Sequence, residues 1–297
     1  MCGIVGLFLK DKALEPQLGA MLTEMLITMT DRGPDSAGIA IYGAAGNRAK
    51  LTVQSDHPDQ DFATLAEDLE ASLGAPVTLR ANDTHAVLEL PADQVEAARA
   101  AIADRPGRIR VMSDGDVIEI YKEVGLPRDV AARFDLPAMS GTHGIGHTRM
   151  ATESAVTTEG AHPFSTGPDQ CLVHNGSLSN HNSLRRKLRR EGVRIESEND
   201  TEVGAAYLTW KMQNGATLGE ALEASLTDLD GFFTFVVGTK EGFGVVRDPI
   251  ACKPAVMAET DQYVAFGSEY RALVNLPGID AARVWEPEPA TVYFWSH

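Results

Sequence analysis

The sequence has few cysteines, and their spacing excludes two common ways of stabilising a fold. Only three occur among 297 residues, at Cys2, Cys171 and Cys252. They are too few and too scattered for a disulfide framework, and no Cys-x-x-Cys pair is present to begin a structural zinc site. The chain must therefore rely on a hydrophobic core, for which its length is ample.

Basic residues are also in the minority. Lys and Arg number 26 against 42 Asp and Glu, so the formal net charge is −16. A protein that binds nucleic acid or an anionic membrane needs a basic footprint, so we expect neither partner. The one dense basic run, residues 184–190, is short and flanked by acidic residues, and we interpret it as the solvated face of a helix.

Long apolar runs are missing as well. No stretch approaches the ~20 apolar residues that span a bilayer. The first ten residues lack the basic start and the apolar centre of a signal peptide. We therefore expect a soluble, cytoplasmic protein.

Apolar periodicity predicts an α+β protein in two parts. Residues 1–43 and 141–297 combine many strands with a few amphipathic helices, the pattern of two stacked sheets covered by helices. Residues 44–140 alternate acidic helices with short strands in the order β-α-β-β-α-β, followed by one further strand. This order predicts a small split βαβ module inserted into the host domain. Because the insert holds no group of catalytic residue types, we expect it to serve docking or structure.

The start of the chain, Met1-Cys2-Gly3, suggests a nucleophile. Removal of an initiator Met before a small residue would leave Cys2 at the N-terminus. Its thiol can then attack, while its own α-amine, with a pKa near ~8, takes up the thiol proton. The alternative is that Cys2 is a small buried apolar residue.

An arginine at the end of an apolar strand suggests a carboxylate-binding group. Arg149 ends the strand predicted over 144–150, where its guanidinium would face a cleft and hold a carboxylate with two hydrogen bonds. A structural ion pair is the alternative. His143 and His147 lie four residues apart on the same strand, ~13 Å in extended chain, so they cannot share a metal ion.

Two further segments supply polar groups at element ends. Asn175-Gly176 follows an apolar strand and offers an amide side chain and an unhindered backbone N–H, the two donors of an oxyanion hole. The alternative is a plain turn with glycine at positive φ. Asp200 opens a predicted helix, where an acidic residue either caps the helix or binds an ammonium group.

Together these groups describe one substrate class. A nucleophile, a carboxylate clamp, an oxyanion hole and an ammonium clamp form a site for the amide of a free α-amino acid. L-Glutamine fits that description.

Five ordered motifs resemble class II glutamine amidotransferases of the N-terminal-nucleophile hydrolase superfamily, and the resemblance covers 1–43 and 141–297. The motifs are Cys2-Gly3-Ile4-Val5-Gly6, Arg32-Gly33-Pro34-Asp35-Ser36-Ala37-Gly38, Gly146-His147-Thr148-Arg149-Met150-Ala151-Thr152, His174-Asn175-Gly176 and Asn199-Asp200-Thr201-Glu202. The family pattern often has Ser in place of Asn199.

The resemblance implies a four-layer αββα sandwich and a role for each matching residue. Cys2 is the nucleophile, and Asn175 and Gly176 form the oxyanion hole. Arg149 binds the α-carboxylate of glutamine and Asp200 its α-amine. Two further implied residues are Thr152, with an additional carboxylate contact, and Arg32, with a supporting role beneath the nucleophile.

The resemblance also suggests a partner. The glutaminase motifs leave no residues for a second catalytic domain, so we expect the acceptor chemistry on separate synthase subunits of a hetero-oligomer. The architecture is similar to the stand-alone glutamate-synthase-like subunit associated with N-methylglutamate synthase (methylamine–glutamate N-methyltransferase). This similarity implies no cofactor or metal in this chain, with FMN and iron–sulfur clusters on partner subunits. The alternatives are a silent subunit that binds glutamine or glutamate for regulation or assembly, and a hydrolase of a different amide.

Overall fold

The structure is a computed structural model that describes residues 2–105, 109–151 and 155–297. In this part of the chain the strands form sheets of seven, five and four members. The strands are β1 (Gly3–Leu9), β2 (Ser36–Tyr42), β3 (Ala49–Gln54), β4 (Thr78–Asn82), β5 (His85–Leu90), β6 (Arg110–Gly115), β7 (Ile118–Val124), β8 (His143–Arg149), β9 (Phe164–Gly167), β10 (Gln170–Leu178), β11 (Gly231–Thr239), β12 (Gly242–Arg247), β13 (Val256–Glu259), β14 (Tyr263–Gly267), β15 (Arg283–Trp285) and β16 (Thr291–Ser296). The α-helices are α1 (Leu18–Thr28), α2 (Pro58–Asp61), α3 (Leu65–Leu73), α4 (Val95–Ala103), α5 (Pro127–Arg133), α6 (His181–Arg190), α7 (Asp200–Gln213) and α8 (Leu218–Asp228).

The seven-stranded sheet has the N-terminal strand at its centre. Its order is β15-β13-β14-β1-β8-β2-β7, and β1 pairs antiparallel with both β14 and β8. Side chains alternate across β1, as the pleat requires. Val5, Leu7 and Leu9 pack in the cluster beneath α1 and α5, whereas Ile4 and Phe8 face the second sheet. This burial on both faces explains why residues 3–9 are all apolar or glycine.

The five-stranded sheet completes the sandwich. Its order is β16-β12-β11-β10-β9, and α6, α7 and α8 cover its outer face. Apolar residues from both sheets, among them Ile145, Val173 and Val236, fill the layer between them. The layer order is therefore helix, sheet, sheet, helix, and the expected αββα sandwich is confirmed.

The third sheet forms the inserted module. Its order, β4-β5-β3-β6, together with α3 and α4 on one face, is the split βαβ arrangement that the sequence predicts. The module begins and ends at the tip of a hairpin. Tyr42 at the end of β2 pairs with Ile118 at the start of β7, and Gly43 N–H donates to the carbonyl of Val117 at 3.0 Å.

The residues that follow the module belong to the sandwich. The further strand expected within 44–140 is β7, which pairs with β2 at the edge of the seven-stranded sheet. Val130 and Phe134, on and after α5, pack in the cluster beneath α1. The four-stranded sheet thus covers 49–115, and the division of the chain into domains at 44 and 140 stays a prediction.

The basic run 184–190 lies on α6 and is only partly solvated. Most of its charged side chains are exposed, as expected, but Arg185 is only 4% exposed. Its guanidinium donates to Asn182 Oδ1 at 2.6 Å and pairs with Glu198 at 3.1 Å. The interpretation as a solvated face was wrong at this position, because the buried Arg185 links α6 to the segment before α7. Among the helices of the described ranges, none is both long enough and apolar enough to cross a membrane.

Candidate functional site

A cleft with a volume of about 720 Å³ opens where β1 and α7 begin and β8 and β10 end. This volume lies within the range of small-molecule sites. Five predicted residues from four separate motifs line it: Cys2, Arg149, Asn175, Gly176 and Asp200. The fold therefore brings together residues that lie far apart in the chain.

Strand pairing places Cys2 at the cleft. Gly3 pairs with Thr148, so the preceding residue, Cys2, lies beside Arg149 at the end of β8. Two side chains donate to the backbone carbonyl of Cys2, Arg32 through Nε at 3.0 Å and Asn175 through Nδ2 at 3.3 Å. Cys2 is partly exposed to solvent, as a nucleophile must be.

Arg149 lies in the cleft wall, and hydrogen bonds hold both its side chain and its backbone. It is 7% exposed, and its Nη1 donates to the carbonyl of Ala155 at 3.3 Å. Asp35 braces the backbone, since its N–H donates to the Arg149 carbonyl and its carboxylate accepts from Ala151 N–H at 2.8 Å. Asp35 belongs to the Arg-Gly-x-Asp-Ser motif, and no separate role for it was predicted.

Neighbouring residues of β10 face opposite sides of the five-stranded sheet. Asn175 points toward Cys2 between the sheets, whereas His174 points outward to the start of α7. Gly176 follows with φ +151°, and a Cβ there would lie 2.0 Å from the carbonyl oxygen of Phe232. Only glycine fits this close approach of backbone to backbone. The backbone of Gly176 thereby reaches the cleft beside the Asn175 amide.

Asp200 is the first residue of α7. Its Oδ2 accepts from Leu178 N–H at 2.9 Å, and its Oδ1 lies 3.7 Å from His174 Nδ1. Burial alone would raise the pKa of Asp200, but polar contacts with the His174 ring and with Leu178 N–H outweigh it and lower the pKa below its usual range. Asn199 caps the helix, because its side chain accepts from Thr201 N–H at 2.9 Å. Asn199 therefore takes the capping role that a serine could have at this position, and the Asp200 carboxylate lines the cleft.

Arg32 does not line the cleft but lies behind the nucleophile. Besides the Cys2 carbonyl, it binds Glu269 through Nη1 at 2.7 Å, and this hydrogen bond lowers the pKa of Glu269. Its predicted place beneath Cys2 agrees with these contacts, while its contribution to activity stays a prediction. Thr152 lies outside the described residues, so its predicted carboxylate contact also stays a prediction.

The cleft wall also contains buried polar residues whose role the sequence does not predict. His162 and His174 both line it, and the Thr201 hydroxyl bridges them, at 2.7 Å from His162 Nε2 and 3.1 Å from His174 Nδ1. His147 stacks on His162 with ring centroids 4.1 Å apart. The signal for His174 and Thr201 was their position inside the matching motifs, whereas His162 precedes a proline in an irregular segment without periodicity.

The stacked pair His147 and His162 is neutral. Burial lowers the pKa of His147 to about 3 and that of His162 well below its ordinary value. Within residues 2–105, 109–151 and 155–297, no group of three or more His, Cys, Asp or Glu is placed to hold a metal ion.

Sequence comparison identifies relatives along the whole chain. Residues 147–275 match the family model of the glutamine amidotransferase domain. The chain is 70% identical over 298 residues to the glutamine amidotransferase-like protein GlxB of Rhizobium meliloti, covering 100% of this chain and 99% of that protein. It is 36% identical to a putative glutamine amidotransferase of Methanothermobacter thermautotrophicus, covering 98% of each.

Solved structures share the fold at low sequence identity. Glutamine phosphoribosylpyrophosphate amidotransferase from B. subtilis superposes with a TM-score of 0.63 at 19% identity. The match covers 99% of this chain and 47% of that one, so this chain spans about half of that enzyme. The structural likeness supports the sandwich alone, and the full-length sequence relatives identify the family. This chain belongs to the glutamine amidotransferase family.

Proposed function

We propose that this chain is a glutaminase that releases ammonia from the side-chain amide of L-glutamine for a separate synthase subunit. The observation that carries the proposal is the meeting of Cys2, Arg149, Asn175, Gly176 and Asp200 in one cleft. A cation, an anion and a thiol in the same cleft suit a zwitterionic amino acid that carries a reactive group on its side chain.

The reaction begins at the N-terminus. After removal of Met1, which lies outside the described residues, the free α-amine of Cys2 takes the thiol proton. The thiolate then attacks the amide carbon of glutamine. The protonated amine returns its proton to the departing ammonia, and a γ-glutamyl thioester remains on Cys2. Water hydrolyses the thioester to glutamate.

Two donors serve the tetrahedral intermediate. The Asn175 amide donates to the Cys2 carbonyl at 3.3 Å, a long hydrogen bond that holds the amide near the nucleophile. In the proposed reaction this amide and the Gly176 N–H stabilise the oxyanion. Each such donor is worth about 3–4 kcal/mol in comparable sites.

The first experiment measures the intact mass of the chain before and after exposure to a diazo-ketone analogue of glutamine. We expect loss of Met1 and a single adduct, blocked by glutamine and absent from Cys2→Ala. Cys252→Ala is the matched control, because Cys252 is exposed and outside the cleft lining and should not affect glutamine-protected labelling. Retained Met1 without labelling would instead favour a silent subunit that binds glutamine or glutamate.

We further propose that the acceptor chemistry lies on synthase subunits of the glutamate-synthase-like or N-methylglutamate synthase type, which would carry FMN and iron–sulfur clusters. What supports this proposal is the sequence resemblance described above. Co-expression with such subunits and glutamine-dependent product formation would test it. A complex that forms but makes product only from free ammonia would contradict the transfer of ammonia from this chain.

The inserted module is our proposed docking element. Because β2 and β7 form a hairpin, residues 45–115 can be replaced by a short turn that joins the paired ends directly and keeps the pairing of β2 with β7. We expect this variant to keep glutaminase activity and lose complex formation. Unchanged complex formation would reject the docking role.

A further inference from the structure

One hydroxyl group in the cleft wall connects two buried histidines. Thr201 Oγ1 lies 2.7 Å from His162 Nε2 and 3.1 Å from His174 Nδ1. All three residues are at most 5% exposed, so water has little access to them. Each contact must therefore be a protein hydrogen bond with a definite donor and acceptor.

When both rings are neutral, the proton count limits the arrangement to two cases. A threonine hydroxyl has one hydrogen, so it donates to one histidine and accepts from the other. Either His174 Nδ1–H donates to Thr201 and the hydroxyl donates to His162, or both directions are reversed. Each case leaves one buried ring N–H of the pair without a partner among the described residues, because His162 Nδ1 and His174 Nε2 contact no acceptor there.

Asp200 decides between the two cases. Its Oδ1 lies 3.7 Å from the same His174 Nδ1. A bare nitrogen lone pair would repel the carboxylate there, whereas an N–H attracts it. The arrangement with Nδ1–H on His174 is therefore the stable one, and the Thr201 hydroxyl accepts from it while donating to His162.

We infer that Thr201 is a positioning residue that fixes the tautomer of His174, so that an N–H faces Asp200 and holds its carboxylate ready for the substrate ammonium group. This inference rests on the proposed function, because it assigns Asp200 the α-amine of glutamine. The second oxygen of Asp200 is fixed by Leu178 N–H at 2.9 Å. The hydrogen bond from Leu178 and the attraction of the His174 N–H together orient the carboxylate toward the cleft.

The test compares Thr201→Val with Thr201→Ser. Valine keeps the shape of threonine without the hydroxyl, and serine keeps the hydroxyl. Glutamine affinity is measured by calorimetry in a Cys2→Ala background, so that turnover does not intervene. We expect Thr201→Val to weaken binding about tenfold, the value of one hydrogen bond to a charged group, and Thr201→Ser to bind within about threefold of the parent.

A second pair of variants addresses His174 itself. The side-chain nitrogen of Asn can occupy the place of Nδ1 of the histidine ring, whereas that of Gln occupies the place of Nε2. We expect His174→Asn to retain more glutamine affinity than His174→Gln. Long-range proton–nitrogen NMR spectra report the tautomer directly, and His174 should be protonated at Nδ1 in the parent and in Thr201→Ser.

The outcomes separate the inference from the function on which it rests. A parent protein that neither binds glutamine nor reacts with the diazo-ketone would refute the proposed function. A parent that binds glutamine, with Thr201→Val folded and equally tight, would overturn the role of Thr201 alone. His174 protonated at Nε2 in the parent would also overturn it.

Discussion

The contact between Arg32 and the nucleophile leads to a quantitative prediction. Arg32 is 9% exposed, and its guanidinium holds the Cys2 carbonyl at 3.0 Å and the Glu269 carboxylate at 2.7 Å. The substitution Arg32→Met keeps much of the volume and removes both hydrogen bonds. The Cys2 carbonyl is then left with the longer hydrogen bond from Asn175, at 3.3 Å.

The expected loss of stability follows from these contacts. A hydrogen bond that involves a charged group contributes about 1.5–3 kcal/mol. Removing one member of a fully buried ion pair costs about 3–5 kcal/mol. The cost is smaller here, because the Glu269 side chain is 34% exposed and retains its ion pair with Arg271 at 2.6 Å. We therefore expect the free energy of unfolding to fall by about 2–3 kcal/mol. A nucleophile displaced by ~1 Å loses about 100-fold in rate, so kcat/KM for glutamine should fall by about 10- to 100-fold.

Urea unfolding and a coupled glutamate assay measure the two effects separately. Glu269→Gln is the matched control, because the amide oxygen still accepts from Arg32 while the charge is gone. It should lose less than about 1 kcal/mol and keep kcat/KM within about threefold. If Arg32→Met retained full kcat/KM despite reduced stability, the link from Arg32 to the nucleophile would be refuted.

Three further substitutions test other parts of the fold. Gly176→Ala would place a Cβ 2.0 Å from the carbonyl oxygen of Phe232. We therefore expect this variant to lose glutaminase activity and about 2 kcal/mol or more of the free energy of unfolding, measured by thermal unfolding. The control Gly215→Ala, whose Cβ would meet nothing within 4 Å, should lose about 1 kcal/mol. Burial lowers the pKa of Lys122 from 10.5 to about 8, so between these values the unfolded chain holds a proton that the native protein lacks. The stability of the parent relative to Lys122→Met should therefore rise by about 2–3 kcal/mol from about pH 8 to about pH 10.5. The Asp169 carboxylate accepts from three successive backbone N–H groups at 2.8, 2.8 and 3.1 Å where the chain enters β7, so Asp169→Ala should accelerate amide exchange there.

Each of these predictions has a result that contradicts it. Equal melting temperatures for the two glycine variants would show that the backbone at Gly176 relaxes without strain. A difference between the parent and Lys122→Met that stayed constant with pH would show an ordinary lysine pKa. For Asp169→Ala, unchanged exchange at the start of β7, with Asp169→Asn as the milder control, would remove its anchoring role.

The layered fold was predictable because burial leaves a periodic trace in the sequence. The buried run 3–9, the helix 18–28 and the alternation of short strands and acidic helices in the insert all follow from burial patterns of strands and helices. Elements without a clear period were missed. The strand Phe164–Gly167 has four residues, and Pro127–Arg133 is a short helix, so neither stood out. Likewise β7 is adjacent to the insert in the chain, but only pairing with β2 assigns it to the sandwich.

The sequence by itself determined which chemical groups are present and in what order, because a thiol, a guanidinium, an amide and a carboxylate at strand and helix ends are visible without coordinates. Only the tertiary structure decided which of these groups meet. Antiparallel pairing of β1 with β8 brings Cys2 beside Arg149, and alternation along β10 directs Asn175 to the nucleophile and His174 to Asp200. The shared Thr201 hydroxyl was beyond prediction, since hydrogen bonds between residues 27 and 39 positions apart depend on packing and leave no local pattern.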